Sequence, residues 1–249
     1  MLKLLPKPAV IAHRGASAHA PENTLASFQL AVDQKADAIE LDVRLSKDGQ
    51  IVVFHDREVD RTTDCQGNLK NFSLNELKTM DAGSFFDQKF NEERIPTLLE
   101  ILSIFEESAL LNIEIKTQFF HQTGLAVKVA RMIHNRNIID RTLISSFNPL
   151  DLISVRRFSP DIDTGILVPP GKNGYWAELI GGKLVKYDSI HFYFRDITQE
   201  LIKKYHKKNK FVFAFTVNNN KEILNLIDMG IDGIFTDNPL LAKQLLYTR

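Results

Sequence analysis

Short apolar runs of strand length take turns along this chain with longer segments in which apolar positions recur at three- and four-residue spacing. The runs lie at 9–13 (AVIAH), 38–45 (AIELDVRL), 51–55 (IVVFH), 110–116 (LLNIEIK), 142–146, 163–168, 188–194, 211–217 and 231–236. Most are rich in β-branched or aromatic residues, as buried and half-buried strands are. The segments between them predict helices over 23–35, 97–107, 122–136, 149–157, 198–208, 219–229 and 239–247. In the first of these, Leu25, Phe28, Leu30 and Val32 form one broad apolar stripe. Alternation of strand and helix predicts a parallel α/β sheet.

The number of runs decides between architectures. There are nine, but 38–45 and 51–55 are joined by only five residues around the turn SKDG at 46–49. A parallel pair needs a crossover of about a dozen residues or more, so these two runs predict an antiparallel hairpin hanging from one strand of the sheet. Eight parallel strands remain, and eight βα units in about 250 residues predict a closed (β/α)8 TIM barrel. An open doubly wound sheet is the alternative. The polar, irregular stretch 57–95 reads as a loop insertion after the second strand, with at most short helices, and the chain 1–249 as a single barrel domain.

Period-two alternation assigns faces. In 38–45, Ile39, Leu41, Val43 and Leu45 share one side while Glu40, Asp42 and Arg44 share the other; in 111–116, Asn112, Glu114 and Lys116 lie opposite Leu111, Ile113 and Ile115. A barrel strand turns its apolar side to the surrounding helices, so Glu40, Asp42, Glu114 and Lys116 are expected to face the axis. Three carboxylates converging there repel one another unless a cation neutralises them. One hard divalent ion with oxygen ligands, Mg²⁺ or Ca²⁺, suits Glu40, Asp42 and Glu114; solvated strand ends with surface ion pairs are the alternative. Pairing back across the SKDG turn returns His55 to the level of Glu40 and Asp42, and His13 ends the first strand. Two imidazoles at the C-terminal rim of a barrel suit general acid and general base roles. Arg14 and Lys116 are candidates to hold an anionic oxygen pair, and Gly15 permits close backbone approach to a ligand.

Other residues carry a plainer reading. His19, His121, His134 and His206 are expected to be structural or exposed, and His191 to be a lining residue if its face points inward. Asp237, in TDNP at 236–239, is expected to cap the helix that follows, with Pro239 in its first turn. Phe85, Phe86 and Phe215 are candidates for a substrate mouth.

Composition narrows the function classes. Lys plus Arg and Asp plus Glu both number 31, giving zero formal net charge, which argues against nucleic-acid binding and makes any attraction for an anion local. The single cysteine, Cys65, allows no internal disulfide and no cysteine-rich zinc site. The opening MLKLLPKPAVIAHRG is broken by Pro6, Lys7 and Pro8 and makes a poor signal peptide. With no apolar run approaching ~18 residues, no stable membrane insertion is expected, and the expected location is cytoplasmic.

These residues belong to an ordered set. HRG at 13–15, PENT at 21–24, ELDV at 40–43, KDG at 47–49, VVFHD at 52–56, DRTT at 60–63, IEIK at 113–116, SSF at 145–147, TVN at 216–218 and TDNP at 236–239 together resemble the glycerophosphodiester phosphodiesterases, from about residue 10 to the end. The resemblance implies a (β/α)8 fold and metal-dependent hydrolysis of a small-molecule glycerophosphodiester to glycerol 3-phosphate and an alcohol. It assigns His13 and His55 to the histidine pair, Glu40, Asp42 and Glu114 to the metal, and Arg14 and Lys116 to the phosphate. Phe215 and Phe85 stand where the family often has tryptophan, which puts the leaving-alcohol preference in question. Alternatives are a lysophospholipid phosphodiesterase of phospholipase D type, for which the chain lacks a basic amphipathic helix, a non-catalytic barrel that binds phosphate esters, and a metal-dependent sugar isomerase or aldolase on the same fold.

Overall fold

The structure, a computed structural model, describes residues 1–117, 123–171 and 185–247. Among the described residues there are nine strands: β1 (Ala9–Ala12), β2 (Ala38–Leu45), β3 (Ile51–Val53), β4 (Leu111–Ile115), β5 (Thr142–Ser146), β6 (Asp163–Val168), β7 (Ser189–Tyr193), β8 (Phe211–Phe215) and β9 (Gly233–Thr236). The described helices are α1 (Leu25–Asp33), α2 (Leu74–Leu77), α3 (Leu98–Phe105), α4 (Leu125–Asn135), α5 (Pro149–Phe158), α6 (Gln199–His206), α7 (Asn220–Asp228) and α8 (Pro239–Tyr247). His121 and the start of the helix predicted from 122 lie outside the described residues.

The sheet runs β1-β9-β8-β7-β6-β5-β4-β2, and β1 pairs with β2 as well as β9, so eight parallel strands close into a ring. The closed barrel predicted from the count of runs is therefore the observed fold, and the open sheet is not. β3 stands outside the ring as the antiparallel partner of β2, in the register Leu45↔Ile51 and Val43↔Val53. Its turn is closed by Gly49 N–H donating to the Ser46 carbonyl at 3.0 Å, with Gly49 in the left-handed region at φ 75.

Apolar residues sort as the alternation requires. Ile39, Leu41, Val43, Leu111, Ile113 and Ile115 pack outward against α1, α3 and α4 in one cluster. A second cluster holds the opposite side, with Ile190, Val212 and Ile234 against α6 and α7. A smaller set that includes Ile11, Leu143, Phe213 and Phe235 fills the barrel interior. The stretch 57–95 has only short helical turns over its own cluster of Val52, Val59, Leu77 and Ile95.

Two local departures from the expected pattern matter for the site. In α1 the buried line is Ser27, Phe28 and Ala31, with Leu25, Leu30 and Val32 only half-buried. The reason is Gly15, at φ 84, whose backbone approaches Ser27 so closely that a β-carbon would lie 2.5 Å from the Ser27 hydroxyl. Several strands also end earlier than their apolar runs, leaving His13, His55, Lys116 and Val217 beyond the last paired residue. No helix among the described residues is long and apolar enough to cross a membrane.

Candidate active site

Residues 40, 42 and 114 point to the axis because they are the even members of strands whose odd members pack outward, and pairing sets Asp42 directly beside Glu114. One carboxylate oxygen from each of Glu40, Asp42 and Glu114 lies within 4.8 Å of the others, and all three residues are buried. Their charges are unequal. Burial would raise Asp42, but Lys116 Nζ at 3.2 Å and Arg14 Nε at 3.3 Å hold it well below the usual carboxylate range. Burial and the neighbouring Asp42 raise Glu40 well above its ordinary value, with Glu114 adding to the effect. Glu114 is also raised by burial, although Lys116 donates to it at 2.6 Å. Glu40 Oε1 is buried with no hydrogen bond among the described residues. A buried oxygen without a donor, in a cluster where two carboxyls resist ionisation, is what a hard cation would relieve, so this donor set fits a divalent ion.

The two histidines stand at the same rim. His13 follows β1, anchored by its N–H to the Thr236 carbonyl at 2.9 Å, and Nδ1 is 2.7 Å from Asp237 Oδ1. His55 follows β3, and Nδ1 is 2.6 Å from Asp56 Oδ1. Each imidazole thus has Nδ1 engaged by a carboxylate, which fixes the tautomer with Nε2 facing away from that partner. Burial lowers the His55 pKa to about 4, against the opposing pull of Asp42. Asp56 and Asp237 are both held below the usual range, because hydrogen bonds outweigh burial.

Asp237 corrects the sequence reading. It does not cap α8; Asn238 does, accepting from Leu241 N–H at 3.0 Å. Asp237 is turned back by its bonds to His13, Ser17 and Asn218. Other motif residues orient these groups. Asn23 donates to Asp42 Oδ2 at 2.9 Å and accepts from the Asp42 N–H at 3.2 Å, while Glu22 takes Arg14 at 2.9 Å and Arg61 at 2.7 and 2.8 Å. PENT and DRTT are therefore the scaffold that aims Arg14 and Asp42. Arg14 itself has a left-handed backbone, φ 57, and its N–H donates to Glu40 Oε2 at 2.8 Å.

His13, Arg14, Glu40, His55, Glu114 and Lys116 line one cavity of about 160 Å³. Phe215 joins them, set edge-on to Phe147 with ring centres 5.9 Å apart. Phe85 and Phe86 do not line it; they pack edge-to-face on each other, and Phe86 also on Phe90, in the insertion. His191 is an inward-facing lining residue, fully buried, with Nε2 2.9 Å from Ser189 Oγ and burial lowering its pKa to about 3. His134 stacks edge-on against Phe158, and His206 pairs with Asp232 at 2.7 Å, both away from this cavity.

The sequence model of the glycerophosphoryl diester phosphodiesterase family matches residues 13–241. A glycerophosphodiester phosphodiesterase of Caldanaerobacter subterraneus subsp. tengcongensis is 41% identical over 94% of this chain and 95% of its own length. One from Bacillus altitudinis is 34% identical over 95% and 97%. Among solved structures, a phosphodiesterase of Oleispira antarctica in complex with the product sn-glycerol-3-phosphate superposes with a TM-score of 0.83 at 34% identity, covering 97% of each chain.

Proposed function

The chain belongs to the glycerophosphoryl diester phosphodiesterase family and is a phosphoric diester hydrolase, and from that premise we propose that it hydrolyses glycerophosphodiesters to glycerol 3-phosphate and an alcohol by two-histidine general acid–base catalysis. The observation that carries this reading is the pair of histidine–carboxylate contacts, His13–Asp237 and His55–Asp56, flanking three buried carboxylates. The glycerol 3-phosphate held by the Oleispira antarctica protein supports the product. The whole chain then acts as one catalytic barrel domain, with 57–95 as an insertion that carries Arg61 to Glu22 and Asp56. A cytoplasmic setting accords with a small, water-soluble substrate.

Glu40, Asp42 and Glu114 would hold one Mg²⁺ or Ca²⁺. Such an ion would supply Lewis-acid stabilisation of charge on a phosphoryl oxygen. Arg14 and Lys116, both cationic beside those acids, attract the remaining phosphate charge. One imidazole withdraws a proton through Nε2 from the attacking group, either water or the neighbouring glycerol hydroxyl whose cyclic phosphate water then opens, and the other gives a proton to the departing alcohol oxygen. Phe215 and Phe147 form the apolar wall against which the carbon skeleton packs.

A coupled assay for glycerol 3-phosphate release from glycerophosphocholine tests the reading. Release is expected with the intact protein, loss on chelation, and recovery with Mg²⁺ or Ca²⁺. His13→Ala and His55→Ala should each lower turnover by roughly 10²-fold or more. Near-normal turnover in both variants would remove the acid–base assignment, and turnover confined to lysophosphatidylcholine would move the enzyme to the lysophospholipid class.

A further inference from the structure

A groove of about 590 Å³ opens beside Lys116, on the hairpin side of the cavity, and its lining includes Arg44, Lys47, Arg57, Lys70 and Lys116. Among the described residues no carboxylate lines it. In a chain with as many acids as bases, five cations along one groove are a local concentration of charge. Alone of the five, Lys116 is ion-paired among the described residues, to Asp42 and Glu114. Lys47, Arg57 and Lys70 are exposed. Glu76, whose field reaches Lys47, makes no ion pair with it and accepts from Ser73 N–H and Oγ.

The groove is tied to the chemistry by Arg44. Its guanidinium donates twice to the His55 carbonyl, at 2.8 and 2.6 Å, and once to the Lys116 carbonyl at 3.4 Å. The wall of the groove is thus fastened to the backbone of one histidine and of the lysine beside the carboxylates. A second opening, of about 390 Å³ beside His13, has a different character, since it includes Glu22 and Asp237 with Arg14 and neutral polar groups. A phosphodiester has two arms, and these openings offer them surroundings of different charge.

We propose that the groove lined by Arg44, Lys47, Arg57 and Lys70 is a subsite for an anionic leaving alcohol, so that the enzyme favours glycerophosphodiesters whose alcohol bears a further phosphate. This rests on the phosphodiesterase reading above and adds the substrate class to it. A cleft lined by one sign of charge concentrates ions of the other sign and hastens their capture, an effect that fades with ionic strength. Thr123, also in the lining, offers a neutral donor to the same oxygens.

The test measures kcat/KM for three substrates at low and high salt: glycerophosphoinositol phosphate, glycerophosphoinositol and glycerophosphocholine, whose leaving alcohols are anionic, neutral and cationic. In the native protein the anionic substrate should lead the cationic one by roughly 10-fold at low salt, with the gap closing as salt rises. The triple variant Lys47→Ala, Arg57→Ala, Lys70→Ala should narrow that lead to about twofold or less, read as the ratio of kcat/KM between the anionic and the cationic substrate. Equal rates on all three substrates, a salt-independent order, or an equal loss on every substrate in the variant would overturn the subsite and leave the phosphodiesterase intact. Binding of anionic vesicles with no order among the substrates would reassign the groove to a membrane surface. If no glycerophosphodiester is cleaved at all, the underlying function and the subsite fall together.

Discussion

A neutral imidazole has two unlike nitrogens, and here both candidate proton carriers have Nδ1 held by a carboxylate while Nε2 is left for the substrate. The partner decides whether the ring can work, because a donor in place of the carboxylate would select the other tautomer. Asp237→Asn is therefore expected to lower kcat by about 10-fold or more with little change in KM, since the carboxylate that holds His13 Nδ1 is gone. An unchanged kcat would reduce Asp237 to scaffolding. The histidines themselves were legible, as polar residues at the ends of apolar runs. Asp237 was not: TDNP has the local form of a helix cap, and only closure of the ring between β9 and β1 brings it beside a residue 224 positions away. Asn23 was hidden for a similar reason, since its two bonds to Asp42 cross from the loop before α1 to β2.

Among the elements, the β2–β3 hairpin carries most of the design. Its register sets Phe54 N–H on the Asp42 carbonyl at 2.9 Å, and so delivers His55 to the rim beside the acids. The five-residue separation and the alternation made this hairpin readable, because a one-residue slip would turn its whole apolar face to solvent. Helix α1 was readable as a helix but not in its buried line, because Ser27 is buried against Gly15, a close approach that no hydrophobic pattern reveals. The hairpin's register is held by buried Val43, Val52 and Val53, so its turn should tune stability and not chemistry. Gly49→Ala, forced into φ 75, is expected to cost about 1–2 kcal/mol, seen as a fall in Tm of roughly 2–8 °C, with kcat within about twofold at 25 °C. A fall in kcat greater than the loss of folded protein would show that the turn, and not the strand pairing, positions His55.

At the scale of the molecule, the barrel gathers three acids in its interior that the chain alone does not neutralise. The number of strand runs was enough to foresee the ring and the convergence of Glu40, Asp42 and Glu114, whereas the cationic groove was not foreseen, because Arg44, Lys47, Arg57, Lys70 and Lys116 are scattered through the sequence and only the fold adds them up. The acids have a consequence for stability. Glu40 and Glu114 have folded pKa values raised by burial, so the stability they contribute is fully present below their unfolded values and is lost as pH rises through the folded ones. Without a divalent ion, the folded protein is thus penalised at neutral and alkaline pH. An ion that binds the ionised cluster reverses the penalty, and at a concentration of about 100 times its Kd it adds roughly 2.7 kcal/mol, a rise in Tm of about 5–11 °C. Because binding requires the ionised acids, that rise should grow from pH 5 to pH 8. Glu40→Gln removes one buried charge, so it should raise the ion-free Tm at pH 8 while shrinking the response to Mg²⁺ or Ca²⁺. Thermal melts of both proteins across this pH range decide the matter: a response to the ion that ignores pH, or that survives unchanged in Glu40→Gln, would place the ion somewhere other than among these three carboxylates.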